Sequence, residues 1–377
     1  MTKKRVKLSY PFFYESDYSK ILDYLKSINQ SNFSDEVDIF EKKLGDYTKA
    51  ANVVAVSSGT SALHLALLAL EISEGDKVLI PTLTFAATAF PVKYVRATPV
   101  FIDIEDSTWT INIDLIEKYL TNCDPEDYPK AIIVVDLFGR TCDYNRLSTL
   151  CDKYNIKIIV DAAESLGTLY KDNPSTTQGL ISIVSFNFIK IITTTGGGAI
   201  LTNQRPIAEY CRKLANQARE NVHWFEHEEI GFNYRLSPLL ATLGSSQLEH
   251  IDEILIDRRK IRQRYVNNLN SYPGIEVIED SLWERSNAWL TNVRFSGKIH
   301  PQGRDKVREN LEKNNIESRY VWKPLHLQPI FFDAKAVLDG TAERIYLQSL
   351  CLPSGSKLSI SQVDEICEKI LSSLDLL

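Results

Sequence analysis

The stretch ISIVSFNFIKIITTTGGGAIL, Ile181–Leu201, holds two apolar runs with a turn between them, one lysine after the first run and three glycines before the second. Each run is short and rich in β-branched residues, the signature of a strand buried on both faces. Runs of the same kind recur at KVLIP (Lys77–Pro81), PVFIDI (Pro99–Ile104), AIIVVDLF (Ala131–Phe138) and KIIVDAA (Lys157–Ala163), and the stretch itself supplies ISIVSFNF (Ile181–Phe188) and GAILTN (Gly198–Asn203). Helical segments lie between them, at Ser61–Leu70 and Asp143–Lys153 among others. This alternation predicts an α/β fold with a large, doubly wound, mostly parallel sheet over residues 1–235. Such sheets take ligands outside the carboxyl ends of their strands. Lys190 follows a strand and is expected at that edge.

From residue 236 the character changes. Residues 236–271 read as one long connecting helix with a charged second half, and residues 272–377 as a small C-terminal α+β domain. Its strands are expected at Gly274–Glu279, Ala288–Phe295 and Ile316–Trp322, and its helices at Gln302–Asn314 and Ser361–Leu374.

Composition excludes several classes of function. The 377 residues are 44% hydrophobic and 24% charged, with a net charge of −6 and no basic run, so no nucleic-acid partner is expected. No apolar run is long enough to span a bilayer, and the N-terminus lacks the apolar core of a signal peptide. The six cysteines show no CxxC spacing, and reduced thiols in a cytoplasmic protein are the expectation. His223 and His227 stand at helical spacing with no third ligand in view, so no metal site is expected.

Five features could serve one ligand, although each has a plain structural reading. An amine in apolar surroundings loses hydration and becomes a nucleophile of the Schiff-base type, which suits Lys190; a surface lysine passing Ile189 and Ile191 would look the same. Asp161, ending a strand, could pair with a protonated pyridine nitrogen, or cap a helix with Glu164 as its capping-box partner. Gly59, Thr60 and Ser61 open a strong helix, where free N–H groups and hydroxyls make a phosphate site or a simple N-cap. Phe85 follows a strand and could stack on a flat ring. Ser185 and Asn187 share one side of a strand and need polar partners, which a phosphate would supply. One ligand accounts for all five together.

With SSGTSALHLAL (Ser57–Leu67), PTLTFAATAFPVKYVRATPVFIDI (Pro81–Ile104), DAAESLG (Asp161–Gly167), SFNFIKIITTTGGGAIL (Ser185–Leu201) and GFNYRLSPLLATLGSSQLE (Gly231–Glu249) in this order, the chain resembles the DegT/StrS-type pyridoxal-phosphate-dependent sugar aminotransferases. The resemblance implies the aspartate aminotransferase fold, fold type I of the enzymes that use pyridoxal 5'-phosphate. It implies that Lys190 holds the cofactor as an aldimine and shuttles a proton, and that Asp161 pairs with the ring nitrogen. Glu164 would stand near the ring hydroxyl, Phe85 against the ring, and Gly59, Thr60, Ser61 and Ser185 around the phosphate, with Asn187 on the same strand. Asn233 would reach the phosphate of a neighbouring subunit, which implies a homodimer with shared sites. Dehydrases of this fold carry histidine where this chain has Lys190, so amino transfer is the expected reaction, from an amino acid, L-glutamate in most relatives, to a keto-sugar nucleotide.

WKPLHLQP (Trp322–Pro329), QARE (Gln217–Glu220) and SLCLPSGS (Ser349–Ser356) resemble the branch that aminates UDP-linked 4-keto-6-deoxy-N-acetyl sugars. That implies Trp322, Lys323 and His326 at the substrate. A 3-keto sugar, a dTDP- or GDP-linked sugar, and a non-catalytic cofactor-binding or regulatory protein remain as alternatives. Two departures stand out: Phe188 and Ile189 occupy positions where relatives carry glycine and asparagine, and Ile28–Leu44 differs from the family pattern.

Overall fold

The computed structural model describes residues 5–28, 35–296 and 302–375. Its strands in chain order are β1 (Asn52–Val56), β2 (Lys77–Pro81), β3 (Thr98–Ile102), β4 (Ala131–Val135), β5 (Lys157–Asp161), β6 (Leu169–Tyr170), β7 (Asn173–Pro174), β8 (Ile181–Ser185), β9 (Gly198–Thr202), β10 (Ile275–Val277), β11 (Glu284–Arg285), β12 (Thr291–Phe295), β13 (Arg319–Tyr320), β14 (Ala336–Val337) and β15 (Ser349–Leu352). The large sheet has the order β1-β9-β8-β5-β4-β2-β3-β14. From β8 to β14 every pairing is parallel, while β9 runs antiparallel to both β8 and β1. Two reversals make β1 run the same way as β8. The carboxyl ends of β1, β4, β5 and β8 therefore share one edge, and that edge carries the site.

Burial explains why these runs read as unbroken apolar segments. All five residues of β4 are buried, as are the first four of β8, because separate apolar clusters cover the two faces of the sheet. A third cluster fills the space between the small sheet β10-β12-β15-β13 and the helices Gly303–Lys313 and Ile360–Ser373. Pattern reading passes over β1 and β15, and the two-residue strands β6, β7 and β11. The last hundred residues also place one short strand, β14, at the edge of the large sheet against β3.

The single helix expected over 236–271 is two helices, Pro238–Leu248 and Ile251–Leu269. The break falls at Glu249 and His250, and tertiary contacts account for it. Glu249 receives Lys20 and Lys43, while the His250 ring stacks on Tyr14 at 3.6 Å and bonds Ser16 through Nε2 at 2.9 Å. Both side chains turn toward the helix α1 (Glu15–Ser27) and its approach, and helical periodicity yields to that docking. Within the divergent segment Ile28–Leu44, residues 29–34 lie outside the described residues, and α2 (Asp35–Thr48) follows.

Candidate active site

Asp161 is the last residue of β5 and Ser185 the last of β8, the neighbouring parallel strand, so strand register alone puts both side chains at one edge. Beside them α3 (Gly59–Ala69) begins, with Ser58 as its N-cap accepting the Ser61 N–H at 3.0 Å. The first-turn amides of such a helix have no helical carbonyl to bond and carry the positive end of the dipole. Two of the three glycines after the lysine have a backbone reason. Gly197 has φ +136°, and a Cβ at Gly198 would stand 2.5 Å from the Gly59 nitrogen. Closing β9 against the start of α3 requires both.

Between these elements lies a cavity of about 390 Å3. Its wall includes Gly59, Thr60, Phe85, Asp161, Glu164, Ser185, Asn187, Lys190 and Trp322, which the sequence had marked out. Phe85 is 55% exposed and stands 5.2 Å from the Trp322 ring at a tilt of 53°. Four expected residues stand outside the wall. The Ser61 hydroxyl is engaged by those of Ser57 and Ser58 at 3.1 and 2.8 Å. Asn233 is exposed and forms an isolated bridge with Asn216. Lys323 is exposed. The His326 ring is taken by Thr82 at 2.6 Å and Glu343 at 3.1 Å.

The charges of the cavity are buried and mutually arranged. Asp161 accepts from Thr88 Oγ1 at 2.8 Å and from the Ala163 N–H at 3.2 Å. Burial pushes its carboxyl above the usual carboxylate range, opposed by these two donors and by the Lys190 charge. Glu164 accepts the Phe138 N–H at 2.8 Å through Oε2 and faces Lys190 Nζ at 3.5 Å through Oε1. Its carboxyl is likewise raised by burial, with the Lys190 charge the largest opposing effect. Lys190 Nζ sits 4.2 Å over the Trp289 ring, a cation over an aromatic face. The turn that carries it closes with the Lys190 N–H on Asn187 O at 3.0 Å. Neither Phe188 nor Ile189 has positive φ, so that turn does not need glycine's freedom. Phe188 instead packs edge-on against Tyr10 at 5.3 Å.

Reasoning from pattern missed Ser57, Thr88, Thr195, Trp289 and Arg319, all in the wall. The signal for Thr88 was its hydroxyl within the otherwise apolar FAATAF (Phe85–Phe90). Trp289 gave none, because it lay inside a run read as a strand. His227, read as one of a possible metal pair, bonds the Gln217 carbonyl at 2.9 Å. Among the described residues no group of three or more His, Cys, Asp or Glu is placed to hold a metal.

A buried carboxylate at a strand end, an amine above an aromatic ring and a helix start aimed at one cavity fit a phosphorylated pyridine aldehyde. Asp161 keeps lone pairs beyond its two internal donors for a ring nitrogen. The fold and this site define a pyridoxal-phosphate-dependent aminotransferase. The comparisons agree: the chain belongs to the DegT/DnrJ/EryC1/StrS aminotransferase family, whose pattern matches residues 14–371. It is 39% identical to EpsN of Bacillus subtilis (strain 168), named for the pyridoxal phosphate-dependent aminotransferases, over 98% of this chain and 95% of that one. It is 36% identical to GDP-perosamine synthase of Escherichia coli O157:H7 over 88% of each chain. Among solved structures it resembles the sugar aminotransferase Spr1654 of Streptococcus pneumoniae, at 25% identity, with TM-scores of 0.90 for the PMP form and 0.89 for the PLP form. Each of these two superpositions covers 99% of this chain and 100% of that one. The chain is a pyridoxal-phosphate-dependent sugar aminotransferase. No helix among the described residues is long and apolar enough to cross a membrane.

Proposed function

We propose that this enzyme moves an amino group from an amino acid, L-glutamate, to a UDP-linked 4-keto-6-deoxy-N-acetyl sugar, with Lys190 as the reacting amine. The observation that carries the reading is the placement of Lys190 Nζ in one cavity with Asp161, 3.5 Å from Glu164 and 4.2 Å over Trp289. Pyridoxal phosphate supplies an electron sink there. Asp161 would hold a protonated ring nitrogen; burial raises its carboxyl, and the Thr88 and Ala163 donors oppose that rise by favouring the charged form. Glu164 keeps the Lys190 amine turned into the cavity. Gly59, Thr60, Ser185 and Asn187 hold the phosphate, with Ser61 bracing Ser58 from behind. Phe85 covers the ring face. The Lys190 amine would move a proton between the substrate carbon and the cofactor carbon C4′, from the amino acid to C4′ in one half-reaction and from C4′ to the sugar carbon in the other.

Trp322 serves the sugar from the cavity wall, and Lys323 and His326 lie further along the same segment, toward the nucleotide. The UDP reading rests on the likeness of WKPLHLQP and SLCLPSGS to that branch. Asn233, exposed and away from its own cavity, suits a contact with the phosphate site of a second copy. We read the enzyme as a cytoplasmic homodimer, with a large cofactor domain at 1–235, a connector at 236–271 and a small domain at 272–377. Light scattering should give twice the 42.9 kDa chain mass; a monomer would remove the shared-site reading. A second reading, a GDP-linked sugar, is favoured by the 36% identity to GDP-perosamine synthase.

The test is a panel of 4-keto and 3-keto sugars on UDP, dTDP and GDP, each offered with L-glutamate and followed by mass spectrometry of the amino sugar. The UDP-linked N-acetylated 4-keto substrate should have the highest kcat/KM. Preference for a GDP sugar would select the second reading, and preference for a 3-keto sugar would overturn the 4-keto reading. Lys190→Ala should abolish turnover with every substrate, and borohydride should fix the cofactor's mass on the Lys190 peptide of the wild type.

A further inference from the structure

Arg258 carries a buried charge that the fold answers with neutral groups. It stands on the helix Ile251–Leu269 with 1% of its surface exposed. Nη1 donates to Trp289 O at 2.6 Å and to Ser354 O at 3.0 Å, and Nη2 donates to Ser9 Oγ at 3.1 Å. Nε is buried with no partner among the described residues. Burial pushes the guanidinium down to about 10, and no carboxylate offsets that effect. Burying a cation this way is unfavourable unless well-placed hydrogen bonds compensate the lost hydration. A guanidinium fork can fix several acceptors at once, which a compact ammonium on a flexible stem does less well.

Two of the three acceptors lead to a single atom. Ser9 Oγ donates onward to Ile189 O at 3.1 Å, and Trp289 Nε1 donates to the same carbonyl at 2.7 Å. That carbonyl belongs to the peptide bond joining Ile189 to Lys190. Trp289 also offers the ring over which Lys190 Nζ rests at 4.2 Å. Arg258 therefore ties together three segments far apart in the chain around the turn that carries the lysine. Asn287 braces the same corner, donating to Glu164 O at 2.9 Å and accepting from the Trp289 N–H at 3.0 Å.

We propose that Arg258 is a positioning residue for amino transfer: by holding Ser9 and Trp289 it locks the Ile189 carbonyl and so sets where the Lys190 amine stands between the indole and Glu164. The proposal rests on Lys190 as the reacting amine. A purely structural arginine would alter melting temperature and leave kcat alone. A positioning arginine alters kcat in a way that depends on its two intermediaries.

The test compares Arg258→Met, Arg258→Lys, Ser9→Ala with Trp289→Phe as a pair, and all three changes together, in the holoenzyme. A small misplacement of a reacting group lowers rate by up to about a hundredfold. Arg258→Met should lower kcat by about tenfold to a hundredfold, with KM for the amino donor unchanged within about threefold. Arg258→Lys should recover part of the loss. The Ser9→Ala, Trp289→Phe pair should lose a comparable amount, and adding Arg258→Met to it should lower kcat by less than about threefold more, because the three act through one carbonyl. A folded Arg258→Met with kcat within about twofold of wild type, or losses that multiply, would overturn the proposal. Should Arg258→Met not fold, Arg258→Lys and the pair still decide it: a pair with wild-type kcat overturns it. Lys190→Ala separates the underlying reading, since turnover in that variant would overturn the lysine assignment itself.

Discussion

The two sides of the cavity are built by different means. On the sheet side, Asp161 and Ser185 stand at the ends of adjacent parallel strands, and backbone register places them. Their support is close by: Thr88 and the Ala163 amide hold Asp161. On the opposite side, Trp289, Arg319 and Trp322 come from the last hundred residues. Trp289 is fixed by Arg258 and Asn287 through its own backbone carbonyl and amide rather than by an ion pair. A substitution on the sheet side can change charge and leave position alone. One on the opposite wall moves the groups it touches.

The largest expected effect tests the sheet side. Asp161→Asn keeps the shape and removes the charge, in a buried site where charge placement matters most. The kcat for amino transfer should fall by about a hundredfold to a thousandfold, or about 2.7–4 kcal/mol of barrier. Steady-state kinetics at saturating substrates measure it, with the melting temperature as a check on folding. A loss under tenfold would mean that register-placed charge is not what the sheet side contributes.

Glu164→Gln is smaller and sits where the two sides meet. The amide can still accept the Phe138 N–H, but the pairing with Lys190 Nζ at 3.5 Å becomes a neutral contact. A loss of about tenfold in kcat is expected, near 1.4 kcal/mol. The pH dependence carries the sign. Burial raises the Glu164 carboxyl, so in the wild type protonation begins above the usual carboxylate range and weakens the pairing as pH falls. The acid limb of the wild-type kcat profile should lie above that range, and in Glu164→Gln it should move to lower pH. An unmoved limb would assign the titration to another group.

Legibility in the sequence divides along the same line. The strands at Lys77–Pro81, Ala131–Val135 and Ile181–Ser185 were readable because burial on both faces leaves unbroken apolar runs. The position of Asp161 and Lys190 at the cavity was readable because each follows an apolar strand run, although each taken singly had a plain structural reading. Trp289 and Arg258 were not, because nothing local to a tryptophan in AWLTNVRF or an arginine in IDRRKIRQR says which distant carbonyls they meet. His326 is a complementary case: its partners Thr82 and Glu343 come from other elements, so nothing local foretells them. The helix expected across 236–271 failed at Glu249 and His250 in the same way: periodicity is local, and the contacts with Lys20, Lys43, Tyr14 and Ser16 are not.

The smallest effect on activity is expected at Phe188, which touches neither side's charges although it stands two residues from the lysine. The family resemblance implies glycine there, yet the backbone of Phe188 is not left-handed, so glycine would relieve nothing. Phe188→Gly adds backbone freedom to the unfolded chain, at about 0.5–1 kcal/mol. It also removes the edge-on contact with Tyr10 at 5.3 Å, a pairing of about 0.5–1.5 kcal/mol beyond its buried area. The variant should lose about 1–2.5 kcal/mol of stability in denaturant unfolding, with kcat within about twofold of wild type. The turn itself closes through the Lys190 N–H and Asn187 O, backbone groups that the substitution leaves in place. A large fall in kcat with unchanged stability would mean that the aromatic pair steers the lysine turn, and the wall's influence would then extend to Tyr10 and the N-terminal segment.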